Sequence, residues 1–465
     1  MSEEGMKARK LTVSHITLGP IVAVVAWAVA SIANMPPQAA WTLAVVVWVA
    51  WWWITEALPL PVTSLLPFVL LPAGGILTFQ EASRSLGDHI IILFMGAFML
   101  AKAVEVSGVH RRLALNLVGW VGGHDGRRLV MSFMLASAIL SMWISNTAAV
   151  LALLPVALAL AEACDDHRFQ RALLLGLAYS ASLGGVATLI GTPPNLIFAS
   201  IYENIAGESF GFARWTSIGI PMVLLGLPVI GFWLTRGLTL TAPLTLPKTG
   251  TMTTYERRVL AVFGTVIFLW VFRTEPFGGW TALVGMPNIG DSTIALAGVV
   301  AMFVVSNGNG GRLLKWDQAV DIPWGILLLF AGGICLAAGI MQSGLGEIIG
   351  SSLSQLGGMP LWLLVFSLTL SVSFLTEVTS NTATATLLMP ILAATATATG
   401  LPIEVLMIPA AIACSCAFCL PVATPPNSIV FASNRVTIKE MAREGFVLNI
   451  LLAVITTLVV MVMVA

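Results

Sequence analysis

The tetrapeptide Ser145-Asn146-Thr147-Ala148 recurs as Ser380-Asn381-Thr382-Ala383, and in both copies a proline stands ten positions after the serine, at Pro155 and Pro390. A second doubled element follows: Thr192-Pro193-Pro194-Asn195 matches Thr424-Pro425-Pro426-Asn427, and Ile197 matches Ile429. These hydroxyls and amides, with the backbone groups freed by paired prolines, are neutral polar groups set in apolar runs. Their chemistry is recognition rather than bond making. Freed carbonyls and hydroxyl oxygens suit a hard cation such as sodium. Helix arms beginning at Ala148 and Ala383 would present free N–H groups and a positive dipole end, which suits an anion. No Arg or Lys stands in these stretches, so a dianion held here would rely on bound sodium to offset its charge. A lone Ser-Asn-Thr in a membrane helix reads as an interhelical hydrogen-bonding group; its duplication favours a binding site.

The repetition extends upstream. Leu93-Phe94, Gly96, Leu100-Ala101 and Ser107-Gly108 match Leu329-Phe330, Gly332, Leu336-Ala337 and Ser343-Gly344 at one constant offset. Three blocks in the same order in two halves amount to an internal duplication.

The elements that must position these residues follow from composition. Of 465 residues 58% are hydrophobic and 9% charged, far below the quarter of charged residues usual in soluble domains. Many apolar runs reach the ~20 residues a bilayer-crossing helix needs. The fold class is therefore an all-α polytopic membrane protein. The net charge of zero gives no nucleic-acid reading. No cleaved leader is expected, since no short apolar region precedes a small-residue cleavage site. No cofactor is called for. Of the five cysteines, Cys416 and Cys419 form a CxxC, read as small packing residues in an apolar helix.

Eleven spans are expected, near 15–33, 39–55, 62–78, 89–107, 172–195, 215–235, 259–272, 292–306, 322–341, 405–433 and 445–464. Trp51-Trp52-Trp53 resembles an interfacial aromatic belt, and 110–123 reads as a basic surface helix. Segments 128–163 and 360–397 differ: each is apolar with a polar Ser-Asn-Thr at its centre, and basic residues flank both ends of the first. Arms of this length are short for a full crossing, so both read as re-entrant helical hairpins with tips at mid-membrane. Breaks are expected at 191–195 and 423–427, where paired prolines remove two backbone donors. With the N-terminus cytoplasmic, 18 of the 22 Lys and Arg residues fall inside, all but Arg84, Arg214, Arg273 and Lys102, as the positive-inside rule requires. Five crossings then separate the hairpins, an odd number, so the halves are inverted repeats: residues 1–35 precede, 36–240 and 259–465 are the repeats, and 241–258 is a cytoplasmic linker. Inverted repeats whose broken helices meet at the midplane are the architecture of secondary transporters.

Other charged residues have simpler readings. Glu377 is read as a structural partner of a backbone turn, with a proton or cation carboxylate as the other possibility. Lys102 and Glu105 are expected to pair on one helix face. Glu56 is read as a helix-end residue. His15, His89, His110, His124 and His167 stand near segment ends and read as interfacial.

The doubled Ser-Asn-Thr, together with Thr-Glu-Ala-Leu-Pro-Leu at 55–60 and Thr-Glu-Val-Thr-Ser-Asn-Thr at 376–382, resembles the divalent anion–sodium symporter family. The run from Ser415 through Cys416-Ala417-Phe418-Cys419-Leu420-Pro421-Val422-Ala423 to Asn427 is similar to that family's pattern. The resemblance implies a homodimer in the cell membrane that works by an elevator movement, importing C4-dicarboxylates such as succinate, malate and fumarate with sodium. It implies substrate contacts from Ser145, Asn146, Thr147, Ser380, Asn381 and Thr382, with Thr192, Thr424 and Pro425 lining the same pocket. It implies one sodium site at Ser141, Ser145, Asn146 and the backbone near Gly191, and another at Thr376, Ser380, Asn381 and the backbone near Ala423. Ser141 and Thr376 each lie four residues before the tip serine, a pairing the duplication carries independently. The hairpins with spans five, six, ten and eleven would move against a scaffold of the others. Within the same chemistry stand exchange without sodium, and citrate or sulfate as substrate. Other classes are an anion channel, disfavoured by a midplane site closed on either side, and an intramembrane hydrolase, disfavoured because no histidine lies at the depth of Ser145 or Ser380.

Overall fold

Backbone polar groups in lipid must be satisfied within the segment itself, and the helix does this. The computed structural model describes residues 3–121, 125–164, 166–238, 250–274, 278–353 and 359–464. Among them the only extended pairing is an isolated bridge, Ser306–Arg312. The principal helices are α1 (Glu3–Ile32), α2 (Pro37–Thr55), α3 (Leu66–Ala73), α4 (His89–Ser107), α5 (Val109–Val121), α6 (Gly126–Ser141), α7 (Asn146–Glu162), α8 (His167–Gly184), α9 (Pro193–Ala206) and α10 (Phe212–Leu234). They continue as α11 (Thr254–Val271), α12 (Asp291–Val304), α13 (Trp324–Gln342), α14 (Leu345–Leu353), α15 (Leu361–Leu375), α16 (Asn381–Thr399), α17 (Ile403–Ser415), α18 (Pro425–Phe431) and α19 (Ile438–Met463). Seven helical segments of the described residues are long and apolar enough to cross a membrane, and shorter apolar helices stand beside them. The chain is a multi-pass α-helical membrane protein.

Both expected hairpins form. α6 turns into α7 through Met142–Ser145, and α15 turns into α16 through Thr376–Ser380. The halves pack in matching ways. α6 lies on α8 as α15 lies on α17; α10 and α19 pack together; α7 touches α18 while α16 touches α9. Each hairpin's second arm thus meets the other half's broken helix. α14, which the sequence reading does not place, packs on α16 as α5 packs on α6 and α7. The 241–258 linker lies outside the described residues up to position 249, as do Gly123 and His124.

Several expectations are corrected. The third span is shorter and divided, into Leu60–Thr63 and α3. Trp52 and Trp53 are buried, their Nε1 groups donating to Ile16 O and Ser64 Oγ, so the tryptophan run packs inward rather than forming a belt. Cys416 and Cys419 lie beyond the end of α17 in an irregular stretch, not in a helix. Lys102 stands 2.7 Å from Asp321 and 3.6 Å from Glu105, so its nearer partner comes from another element. The paired prolines do not sit inside the gaps. They open α9 and α18, where a missing N–H costs nothing and the fixed φ suits the first turn. The breaks lie just before them, at 185–192, which opens with a 3-10 turn over Gly185–Ala187, and at 416–424.

Candidate substrate and cation site

The first tip is assembled by its own polar residues. Ser145 caps α7, its Oγ accepting from Ala148 N–H at 3.2 Å. Ser141 Oγ, at the last turn of α6, donates to Asn146 Oδ1 at 2.5 Å. In the second half Thr376 Oγ1 donates to Asn381 Oδ1 at 2.6 Å. The serine or threonine four residues before each tip serine therefore contacts the amide oxygen of the tip asparagine. This is the geometry of a shared oxygen cluster, and both hydroxyls are buried. Ser380 occupies the cap position of α16 without a side-chain bond. Thr147 and Thr382 stand half-buried in the first turns of α7 and α16.

Each tip faces its own break. A Cβ built on Gly185 would lie 2.9 Å from Asn146 Oδ1 and 3.0 Å from Gly191 O. The backbone of the first break is thus packed against the tip amide with no room for a side chain. Thr188 Oγ1 donates to Met142 O at 2.5 Å. In the second half Ser373 Oγ donates to Cys416 O at 2.8 Å, and Thr376 Oγ1 lies 3.4 Å from Cys414 O. The halves are joined at the centre. Ser415 Oγ, ending α17, donates to Thr192 Oγ1 at 3.3 Å, and Tyr179 Oη donates to Phe418 O at 2.8 Å. Thr192 and Thr424 are buried at the starts of α9 and α18; Pro425 is exposed.

Glu377 departs from the symmetry. It is 3% exposed, and its carboxylate accepts from the N–H groups of Phe418 (2.7 Å), Cys419 (2.8 Å) and Leu420 (3.0 Å) and from Asn449 Nδ2 (2.7 Å). The turn-holding reading of this residue is the one its bonds describe. At the offset that pairs the tips, its counterpart is the uncharged Met142. Sequence reasoning missed Tyr179, Ser415 and Asn449, because single polar residues in apolar helices carry no spacing signal.

The openings of the two halves differ. Ser145, Pro425 and Ser428 are exposed and Val422 is 76% exposed, whereas the matching Ser380, Pro193 and Ile190 are half-buried and Leu196 is 1% exposed. The α18 side of the second break is therefore more exposed than the matching α9 side of the first.

The sequence profile of the citrate transporter family matches residues 50–405. The chain belongs to this family. The resemblance to divalent anion–sodium symporters drawn from the tip motifs agrees with that membership. The chain is also similar to the sodium-dependent dicarboxylate transporter SdcS of Staphylococcus saprophyticus, 39% identical over 96% of this chain and 90% of the relative. SdcS of Staphylococcus aureus matches at 39% over the same shares. The fold is similar to that of the solved YdaH transporter of Alcanivorax borkumensis, with a TM-score of 0.58 at 12% identity, covering 83% of this chain and 87% of that one. Family membership places the chain among transporters rather than enzymes.

Proposed function

We propose that this protein imports C4-dicarboxylates, with succinate, malate and fumarate as the class, by coupling them to sodium entry. The observation that carries the reading is the identity of 39% along 96% of the chain to transporters named sodium-dependent dicarboxylate transporters. The doubled tips supply a physical account of it. Two helix N-termini, at Asn146 and Asn381, are offered to two carboxylates. Ser145, Asn146, Thr147, Ser380, Asn381 and Thr382 contact the substrate, with Thr192, Thr424 and Pro425 beside them. One sodium is held by Ser141, Ser145, Asn146 and the Gly191 backbone, the other by Thr376, Ser380, Asn381 and the Ala423 backbone. Sodium is a transported coupling ion here, not a cofactor.

Alternating access follows from an elevator movement, in which α6–α10 and α15–α19 travel together against the remaining helices of a homodimer. The dense packing of those helices on one another supports a common moving body. The N-terminus is cytoplasmic, on the distribution of Lys and Arg. The test is uptake of radiolabelled succinate by proteoliposomes with and without a sodium gradient, with citrate and sulfate as competitors. Uptake should depend on sodium more steeply than first order. Uptake that ignores the gradient but requires internal dicarboxylate would establish exchange instead.

A further inference from the structure

We propose that Asn195 and Asn427 are positioning residues for the two cation sites, each amide clamping the irregular stretch whose carbonyls face a hairpin tip. The inference rests on the sodium-coupled reading above. Both side chains are fully buried. Asn195 Nδ2 donates to Gly185 O at 3.1 Å and to Thr188 O at 2.8 Å. Asn427 Nδ2 donates to Ala417 O at 3.1 Å and to Leu420 O at 3.0 Å. In both halves the acceptors lie ten and seven residues before the asparagine. Two carbonyl acceptors leave the amide one orientation, because only the NH2 end can serve them.

A broken helix in a membrane leaves carbonyls without partners, and those groups must be satisfied from within the protein. The clamp adds a donor to two carbonyls in each break; Thr188 O and Leu420 O also accept from the N–H groups of Gly191 and Ala423, at 3.4 Å and 3.3 Å. The clamped turns therefore lead directly into Gly191 and Ala423. The clamped residue touches the site itself, since a Cβ on Gly185 would meet both Asn146 Oδ1 and Gly191 O. Releasing Gly185 therefore moves the oxygens that would surround a cation.

A second observation separates a clamp from a packing residue. The Oδ1 atoms of Asn195 and Asn427 are buried with no hydrogen-bond partner among the described residues. A leucine of similar volume would avoid that cost. The amide is kept for its donors. The paired Pro-Pro-Asn then has one physical purpose: the prolines start the helix, and the asparagine on its first turn reaches back to set the stretch before it.

The test uses the full chain in detergent, with thermal unfolding followed against sodium chloride and against choline chloride. Asn195→Asp and Asn427→Asp keep the shape but replace the NH2 donors with a carboxyl group. Asn195→Leu and Asn427→Leu remove the donors without adding a polar group. Each variant is expected to need about tenfold more sodium for half-maximal stabilisation, the loss of roughly one to two hydrogen bonds. Midpoints within about twofold of the unsubstituted protein, for both variants at a position, would overturn the clamp while leaving sodium coupling intact. Variants at one position that both fail to fold would assign the amide to the fold alone and also overturn it. An unsubstituted protein that does not respond to sodium would overturn the coupling reading, and the clamp with it.

Discussion

Asn146 and Asn381 each accept a hydroxyl hydrogen through Oδ1 and each open a helix, so one side chain touches both the buried hydroxyl and the helix N-terminus. Replacing either with alanine removes that oxygen from a buried hydroxyl, a loss of ~1–3 kcal/mol. We expect Asn146→Ala and Asn381→Ala each to abolish succinate uptake in proteoliposomes while the protein still elutes as a folded species. Near-normal uptake in both would contradict the site. Glu377 behaves differently. Its carboxylate satisfies three N–H groups of a stretch that no helix satisfies. Glu377→Gln presents an NH2 group to donors, and leaving a buried donor unsatisfied costs ~1–3 kcal/mol. A fall in unfolding temperature with and without sodium is expected, and an unchanged temperature would argue against the turn-holding role.

At the scale of elements, the helix after each break is held against it by close backbone contact. A Cβ on Gly219 of α10 would lie 2.4 Å from Val186 O, and one on Gly445 of α19 would lie 2.2 Å from Phe418 O. Val186 O is also the acceptor of Trp215 Nε1 at 2.8 Å, as Phe418 O is of Tyr179 Oη. The carbonyl in each break is thus fixed from two sides, and backbone atoms cannot yield as a side-chain tip does. Gly219→Ala and Gly445→Ala are expected to destabilise by ~1–3 kcal/mol through overpacking and to reduce transport. Gly264→Ala, on a face of α11 with nothing within 4 Å of the added atom, is the silent control. Equal unfolding temperatures for all three would show that the approach is looser than drawn.

At the scale of the whole molecule, alternating access depends on opposed hairpins. In a version without its five cysteines, a cysteine at Trp120 on α5, which is 90% exposed, should be labelled only from the cytoplasm. A cysteine at Met359, just before α15 and 38% exposed, should be labelled only from outside. Inverted halves let one midplane site face either side by exchanging which half adopts which arrangement. Labelling of both positions from the same face would remove the inverted repeat and this route to alternating access.

The sequence by itself determined the class, the duplication, both hairpins and both breaks. Long apolar runs can only be helices in lipid, and paired prolines can only end or begin one. The Ser141–Asn146 and Thr376–Asn381 contacts join residues that the family resemblance groups together, and the duplication repeats them at one spacing. Tertiary structure alone decided which distant groups meet. Tyr179 reaches Phe418 across 239 residues and Ser415 reaches Thr192 across 223, and no local pattern encodes such a pair. It also decided that the tryptophan run turns inward, that Lys102 prefers Asp321, and that Cys416 and Cys419 sit in the break. Hydropathy places a residue in an apolar run, but only packing decides whether that residue faces lipid, a neighbouring helix or the gap between two helix ends.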